Sequence, residues 1–442
     1  MPNKDQFLLD PEVTFLNHGS FGACSKEVYE DLLFWQRALE LQPVKYFEKT
    51  IFEKLEDSRS ALSTYVNCDK DDLVLVPNPS TAINTVAKSL QLCEGDEILS
   101  TDHEYGAMDR TWQFVCNKTK SKYIQVPYDL PIVSKKEFIN SFLSRINKNT
   151  KVIFISHITS PTGLIFPVRE ICDAVKNEKI ITIIDGAHAP AHIDLNIKEL
   201  CPDVYTGACH KWMCSPKGVS FLYVNKSFQK KIDPLIVSWG WNSDNPSHSL
   251  FLDYHQYQGT RDMGAFLTIP KVIDFLKKNN WKEVSRNCKI QTKLAREKLI
   301  NALSSFSICS EEWIGQMCSV PINVKDIESY RNILNEKYKI EIPIFKWRNK
   351  SLIRLSFQVY NSQDDVDKLY SKYPRTYIEL QKYIEQNDIG INPKDLKSKI
   401  NKYCKMAIHT AHKHIGNEKM VENNVSMDLY NIDLIIDSNF KP

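Results

Sequence analysis

The chain has 442 residues, of which 42% are hydrophobic and 25% are charged. This length predicts two or three domains around a large core, and the composition is typical of a soluble globular protein. With 57 basic and 54 acidic side chains the net charge is +3. The overall charge therefore gives no reason to expect binding to nucleic acid or to a membrane surface. No apolar run approaches the roughly 18 residues of a membrane helix.

Cysteine usage and the first residues predict a cytoplasmic protein. The 12 cysteines are scattered without a CxxC pair, as expected for reduced thiols, and residues 1–6 lack the pattern of a signal peptide. In the tail, His409 and His412 lie three residues apart, but no cysteine or carboxylate ligands accompany them. We therefore predict a solvated helix there and no metal site.

The first elements are a glycine-bracketed segment at 15–22 and a helix over 25–66. The two glycines indicate backbone that runs close to a ligand or to another chain, although a simple turn would explain them too. A strand at 73–76 then precedes a helix that we expect Ser80 or Thr81 to cap. Its free amides and hydroxyls would suit a phosphate, and an ordinary capped helix explains the same residues.

Strands and helices then alternate along the chain. A strand at 97–100 delivers His103 and Tyr105, whose rings would either cover a flat heterocycle or pack on the core. Further strands are predicted at 122–126, 151–156 and 180–184, separated by helices. This alternation predicts an α/β fold with a mainly parallel sheet.

Two residues beside strand ends indicate a particular cofactor. Asp185 follows the apolar strand at 180–184, and Lys211 lies in a turn before the strand at 219–224. Ligands bind at the carboxyl ends of strands in such folds. A lysine that forms a Schiff base and an aspartate that keeps a pyridine nitrogen protonated are the two parts of a pyridoxal phosphate (PLP) site. Asp-Gly is also a common way to open a turn. However, a lone carboxylate after an apolar strand needs a partner of opposite charge, and the protonated ring nitrogen would be that partner.

The remaining elements predict a smaller α+β domain. An irregular segment at 236–264 precedes helices at 265–277 and 281–303, strands near 317–324 and 351–357, and a last helix from 364. Arg354 lies in the second of these strands, where an arginine either meets a carboxylate or marks an edge strand. Beyond about residue 374 the composition shifts toward Lys, Asn, Ile and Asp.

A series of short motifs gives residues 10 to 372 a specific resemblance. They are Asn17-His-Gly-Ser20, Glu104-Tyr-Gly-Ala107, Ser160-Pro-Thr-Gly163, Asp185-Gly-Ala-His-Ala-Pro190, His210-Lys-Trp212, Pro216-Lys-Gly218, Gly259-Thr-Arg-Asp262 and Arg354-Leu-Ser356. In this order they resemble the isopenicillin N epimerase-like branch of the class V aminotransferase/cysteine desulfurase family. The resemblance implies the type I fold of PLP-dependent transferases. We predict an N-terminal arm (1–24), a large PLP-binding domain (25–265) and a small domain (266–374). Residues 375–442, which the resemblance does not cover, are predicted to form an extension of unknown role, helical or partly disordered.

The resemblance also implies roles for single residues. Lys211 would form the Schiff base and move the proton at Cα, Asp185 would bind the pyridinium nitrogen, and His188 would contact the cofactor 3′-oxygen. The other contacts that it implies are Ser80, Thr81 and His210 at the phosphate, Tyr105 stacked on the ring, Thr260 reaching the phosphate of the second subunit of a homodimer, and Arg354 at the substrate carboxylate with Asn17 and His18 nearby. One departure is Ala208, which replaces the phosphate-binding serine that many relatives carry.

The resemblance is compatible with several reactions. The resemblance favours an epimerase or racemase acting at Cα of an amino acid or small peptide, and a C–S β-lyase, a cysteine desulfurase-like enzyme or a class V aminotransferase are the alternatives. A persulfide-forming desulfurase needs a nucleophilic cysteine before the arginine, but residues 321–353 contain none, and Cys318 lies in a predicted strand. A catalytically idle fold that binds a partner through its tail is less well supported, since both Lys211 and Asp185 are present.

Overall fold

The computed structural model describes residues 4–324 and 326–371. Contacts divide the chain into two units, Met1–Val366 and Asp367–Pro442. The boundaries predicted at 24/25 and 265/266 stay predictions. The extension at 375–442, with His409 and His412, lies outside the described residues.

The strands and helices are numbered in chain order. The strands are β1 Thr14–Phe15, β2 Leu73–Val76, β3 Glu97–Thr101, β4 Lys122–Val126, β5 Thr150–Ser156, β6 Ile181–Gly186, β7 Val204–Ala208, β8 Ser220–Val224, β9 Met317–Ile322, β10 Ile340–Glu341, β11 Ile344–Trp347 and β12 Lys350–Ser356. The helices are α1 His18–Phe21, α2 Lys26–Leu41, α3 Pro43–Lys45, α4 Ile51–Val66, α5 Pro79–Ser89, α6 Gly106–Thr119, α7 Lys135–Leu143, α8 Val168–Val175, α9 Ile197–Leu200, α10 Leu250–His255, α11 Gly264–Leu267, α12 Ile269–Lys278, α13 Trp281–Ala302, α14 Ile327–Asn332 and α15 Gln363–Ser371. Short 3₁₀ or π turns occupy Lys4–Gln6, Tyr46–Thr50, Lys70–Asp72, Gln229–Lys231, Glu311–Trp313 and Ile333–Lys337.

A seven-stranded sheet with the order β2-β8-β7-β6-β5-β3-β4 forms the centre of the fold. Its strands from β7 to β4 are all parallel, whereas β8 runs antiparallel to both β7 and β2. The prediction of a mainly parallel sheet is therefore confirmed. One face of the sheet packs its buried aliphatic side chains against α5 and α6. Burial of these side chains is the main favourable contribution to folding of this unit.

A second, antiparallel sheet has the order β11-β12-β9. Arg354 lies on its central strand, where it pairs with Ser319 of β9. The edge-strand interpretation of this arginine is therefore wrong. The short parallel pair of β1 and β10 joins the N-terminal segment to this region.

Two predicted helices are interrupted at prolines. The helix predicted over 25–66 is interrupted at Gln42, which has φ −148° and ψ 71°, because Pro43 disfavours the helical region for the residue before it. The helix predicted over 265–277 divides into α11 and α12, and Pro270 lies in the first turn of α12, where a missing amide proton is harmless. The segment predicted to be irregular contains α10.

No helix within residues 4–324 and 326–371 combines the length and the hydropathy needed to cross a membrane. The cysteines of the same residues are free thiols, as the spacing predicts.

Candidate active site

Asp185 lies at the carboxyl end of β6 and is buried. Its carboxylate accepts a hydrogen bond from the amide of Ala187 at 3.0 Å. Burial raises the pKa of Asp185, and the nearby Lys211 amine lowers it in part. The following Gly186 is required by packing, since a Cβ there would lie 2.1 Å from the Tyr205 hydroxyl oxygen.

Lys211 and His188 meet next to this carboxylate. The Lys211 Nζ lies 3.2 Å from the His188 Nε2, and the Trp212 indole N–H donates to the His188 Nδ1 at 3.3 Å. Because Nδ1 accepts this hydrogen bond, the neutral imidazole carries its proton on Nε2, directed at the lysine amine. Only the neutral form of the Lys211 amine has a lone pair that can accept a hydrogen bond from this N–H.

The electrostatic surroundings of Lys211 favour the same neutral amine. Burial and, to a smaller extent, the charge of Arg354 lower the pKa of Lys211, Asp185 partly opposes them, and the resulting pKa is about 8. Burial also lowers the pKa of His188 well below its ordinary value. A half-buried lysine with a pKa lowered to about 8 suits both Schiff-base formation and proton transfer.

Arg354 lies buried beside these groups with part of its guanidinium unsatisfied. Its Nη1 donates to the Ser160 carbonyl at 2.6 Å, and its Nη2 donates to the Ser20 hydroxyl at 2.7 Å. The Nε is buried without a hydrogen-bond partner, and no carboxylate of the described residues pairs with this side chain. Burial lowers the pKa of Arg354 to about 10.

The N-terminal arm joins the lysine turn to this arginine. His18 is fully buried, with its Nε2 3.0 Å from the Lys211 carbonyl and its Nδ1 2.6 Å from the Tyr360 hydroxyl. His18 therefore contacts the lysine turn through one ring nitrogen and Tyr360 through the other, and the substrate contact that the resemblance implies stays a prediction. The neighbouring Asn17 has a buried side-chain oxygen without a partner.

Gly22 shows why this arm needs glycine. Its φ is +66°, and a Cβ there would lie 2.2 Å from the His210 carbonyl oxygen. The close backbone approach predicted from the glycines is present, and the neighbour is the chain's own lysine turn.

The start of α5 differs in one respect from the prediction. Asn78, not Ser80 or Thr81, caps the helix, and its side-chain oxygen accepts from the Thr81 amide at 2.8 Å. Pro79 occupies the first turn, which is the usual order of cap and proline. Ser80 and Thr81 lie half-buried in this first turn, where the resemblance places the phosphate.

The other predicted residues occupy varied surroundings. Tyr105 directly precedes α6 at the N-cap position and is 49% exposed, so the interpretation that it packs on the core is wrong. His103 is fully buried with its ring centroid 4.5 Å from that of Trp347, and it is not available to cover a cofactor. Burial lowers the pKa of His210 to about 4, and its Nδ1 lies 2.8 Å from the Val219 carbonyl.

Thr260 and Ala208 complete the predicted set. Thr260 is exposed on a loop, 3.2 Å from the Tyr257 hydroxyl, and its contact with a second subunit stays a prediction. Ala208 ends β7 and is fully buried, so this position presents no hydroxyl to a phosphate.

Sequence reasoning missed several residues that support the site. Ser20, Ser160 and Trp212 belong to the motifs already recognised, but their contacts with Arg354 and His188 follow only from the chain path. Glu104 is also buried, and its carboxylate accepts from the Thr101 hydroxyl at 2.6 Å and from the Ser156 amide at 2.9 Å. Burial raises the pKa of Glu104 to about 8.

These residues fit PLP. Among the described groups, the buried Asp185 carboxylate receives one backbone hydrogen bond, so it retains capacity for a cationic ring nitrogen. The Lys211 amine lies beside it with a lowered pKa. The hydroxyls at the start of α5 suit the phosphate.

Comparisons with known proteins agree with this geometry. An isopenicillin N epimerase of Amycolatopsis lactamdurans is 29% identical over 83% of this chain and 96% of its own length. A probable chloroplastic L-cysteine desulfhydrase of Arabidopsis thaliana is 26% identical over 81% of this chain and 82% of its own. Among solved structures, an Escherichia coli cysteine desulfurase shares the fold at 17% identity with a TM-score of 0.72, covering 86% of this chain and 97% of that one.

The family assignment is direct. The model of the family described as "Aminotransferase class-V" matches residues 37–369, which is most of the chain. The α/β architecture with its mainly parallel sheet is the type I fold of PLP-dependent enzymes. The chain therefore belongs to the class V aminotransferase family and is a PLP-dependent enzyme.

Proposed function

We propose that this enzyme removes the α-proton of an amino acid or small peptide with Lys211 and returns it to give the epimer. The observation that supports an amino-acid substrate is the buried Nε of Arg354, which has no partner among the described residues. The similarity to isopenicillin N epimerases supports inversion at Cα. A buried donor left unsatisfied is costly, and the α-carboxylate of an amino acid is the ligand whose geometry satisfies it. Arg354 therefore selects the substrate class.

The protein groups then have distinct tasks. With a pKa of about 8, roughly a tenth of the Lys211 amines are neutral at pH 7, and these can take a proton. Arg354 offers its Nε–H and one N–H of Nη2 to the carboxylate, while Ser160 and Ser20 hold the rest of the guanidinium. Asp185 holds the cofactor ring nitrogen. When bound, PLP supplies a cationic ring that accepts the electron pair left at Cα.

A C–S β-lyase is the second candidate, because L-cysteine desulfhydrases are among the similar proteins. Cys318 does not provide a persulfide-forming thiol for such a reaction. It is buried on β9 opposite Leu355, and burial raises its pKa to about 12, so the reactive thiolate is absent near neutral pH. We propose that any lyase activity releases sulfur without an enzyme-bound persulfide at Cys318.

We also propose that the enzyme is a cytoplasmic homodimer in which Thr260 reaches the phosphate bound by the partner subunit. The exposed position of Thr260 on its loop supports this arrangement. Light scattering of the purified protein measures the oligomeric state. If Thr260 acts across the interface, mixing Thr260→Ala and Lys211→Ala subunits restores one site with both native residues.

The experiment for the reaction uses PLP-loaded wild type beside Lys211→Ala. Each is incubated in deuterium oxide with L- and D-amino acids, and α-proton exchange, enantiomeric composition, pyruvate and sulfide are followed. We expect exchange with inversion in the wild type and neither in the variant. Pyruvate and sulfide from L-cysteine without inversion would favour the lyase. Absence of both exchange and elimination across the panel would refute chemistry at Cα.

Arg354→Met is the matched variant for substrate selection. It should retain the visible absorbance band of the bound cofactor and lose most of the spectral response to amino acids, because the cofactor contacts do not involve this side chain. Equal responses of variant and wild type would show that the carboxylate binds elsewhere.

A further inference from the structure

We propose that Ser220 binds the phosphate group of PLP and takes the place of the hydroxyl that Ala208 lacks. This inference rests on the PLP dependence of the enzyme and is independent of which reaction it catalyses. It assigns a cofactor contact to a residue that the motifs do not include.

Ser220 is a buried hydroxyl without a partner. It is fully buried at the start of β8, and its Oγ has no hydrogen-bond partner among the described residues. Buried polar groups in folded proteins are satisfied in the great majority of cases. Other buried hydroxyls of the described residues also lack a partner, such as those of Ser58 and Ser356, so the assignment of Ser220 to a ligand rests on its placement in the sheet.

The strand register places Ser220 directly beside Ala208. The two residues are partners in the antiparallel pairing of β7 and β8, so their side chains share one face of the sheet. A hydroxyl at 220 is thus within a few ångströms of where a hydroxyl at 208 would be.

This face is the one that carries the cofactor site. Side chains alternate along a strand, and Val204 and Leu222 pack with the helix α5 on the same face as Ala208 and Ser220. Ile183 belongs to the same cluster, which puts Asp185, two residues on, at the same face.

The position along the strands completes the placement. Ala208 ends β7 and Ser220 begins β8, so both lie at the same edge of the sheet as Asp185. The short segment between β2 and α5 lies at this edge too. The first turn of α5 carries the hydroxyls of Ser80 and Thr81. Ser220 therefore adds a donor to an anion site formed by a helix N-terminus, and the anion is a phosphate monoester.

The test compares PLP with pyridoxal, which lacks the phosphate. Apoprotein of the full chain is titrated with each aldehyde, and the dissociation constant is taken from the visible absorbance. We expect Ser220→Ala to weaken PLP binding about tenfold, as for loss of a hydrogen bond to a charged group. Pyridoxal binding should change less than twofold.

The double variant Ala208→Ser with Ser220→Ala provides the control. Because the two side chains are cross-strand neighbours, the serine at 208 should return the PLP dissociation constant to within about threefold of wild type. Equal weakening of PLP and pyridoxal, unchanged PLP binding, or failure of the double variant to recover would each overturn the inference. A finding that the enzyme is a lyase and not an epimerase would leave it intact.

Discussion

The pKa of Lys211 makes a quantitative prediction about cofactor uptake by the apoprotein. Only a neutral amine attacks an aldehyde, and a lysine with the ordinary pKa of 10.5 is neutral in about 0.03% of molecules at pH 7. With a pKa of about 8 the neutral fraction is roughly 9%, which is about 300-fold larger. The rate of PLP incorporation should therefore rise about tenfold per pH unit below pH 8 and level off above it.

Stopped-flow absorbance between pH 6 and 10.5 measures this profile. A simple alkylamine in the same buffers provides the correction for the titration of PLP itself. Arg354→Met removes a positive charge that lowers the pKa of Lys211, so the plateau should begin at a higher pH, whereas Asp185→Asn should move it to a lower pH. A wild-type rate that still rises tenfold per unit at pH 10 would refute the argument that burial keeps this amine neutral.

The same pKa predicts the stability of the apoprotein. Between about pH 8 and 10.5 the unfolded chain keeps a proton that the folded chain has released, so the free energy of unfolding rises with pH across that window. Lys211→Met should remove this dependence and stabilise the apoprotein at pH 7 by up to about 3 kcal/mol. Urea denaturation at several pH values measures both effects.

Four further predictions concern single side chains. Gly22→Ala should lower the free energy of unfolding by more than about 2 kcal/mol, because a Cβ there would clash with the lysine turn. Gly95 also has a positive φ, +89°, but has open space around it, so Gly95→Ala should lower the free energy of unfolding by only about 1 kcal/mol. Equal losses for the two variants in urea denaturation would contradict the packing argument. Ser20→Ala should raise the half-saturating concentration of an amino acid about tenfold and that of its amide less than twofold, because the serine orients the carboxylate-binding guanidinium. Cys318→Ala should leave turnover unchanged, and a tenfold loss with sulfur retained on the wild-type protein would show that this thiol is reactive. Burial raises the pKa of Glu104 from 4.5 to about 8. The stability that its protonated form contributes is therefore fully present below about pH 4.5 and is lost as the pH rises to 8. Glu104→Gln should flatten the pH dependence of the free energy of unfolding in this range.

The local sequence pattern was enough to predict the main architecture and the cofactor. Alternating apolar strands and amphipathic helices predicted the parallel sheet, and the places of Asp185 and Lys211 after strands predicted the cofactor. Both predictions need only local sequence. Parallel strands are joined by crossover connections that are almost always right-handed, so alternating strands and helices place the carboxyl ends of the strands at one edge of the sheet.

Contacts between distant segments required the folded chain. The arm residue His18 contacts the carbonyl of Lys211, 193 positions away, and Ser20 contacts Arg354, 334 positions away. No local period or turn signal encodes such pairs, because each partner's own sequence is compatible with many neighbours. Ser220 has the same property: it is an ordinary serine in an apolar strand until the antiparallel register places it beside Ala208.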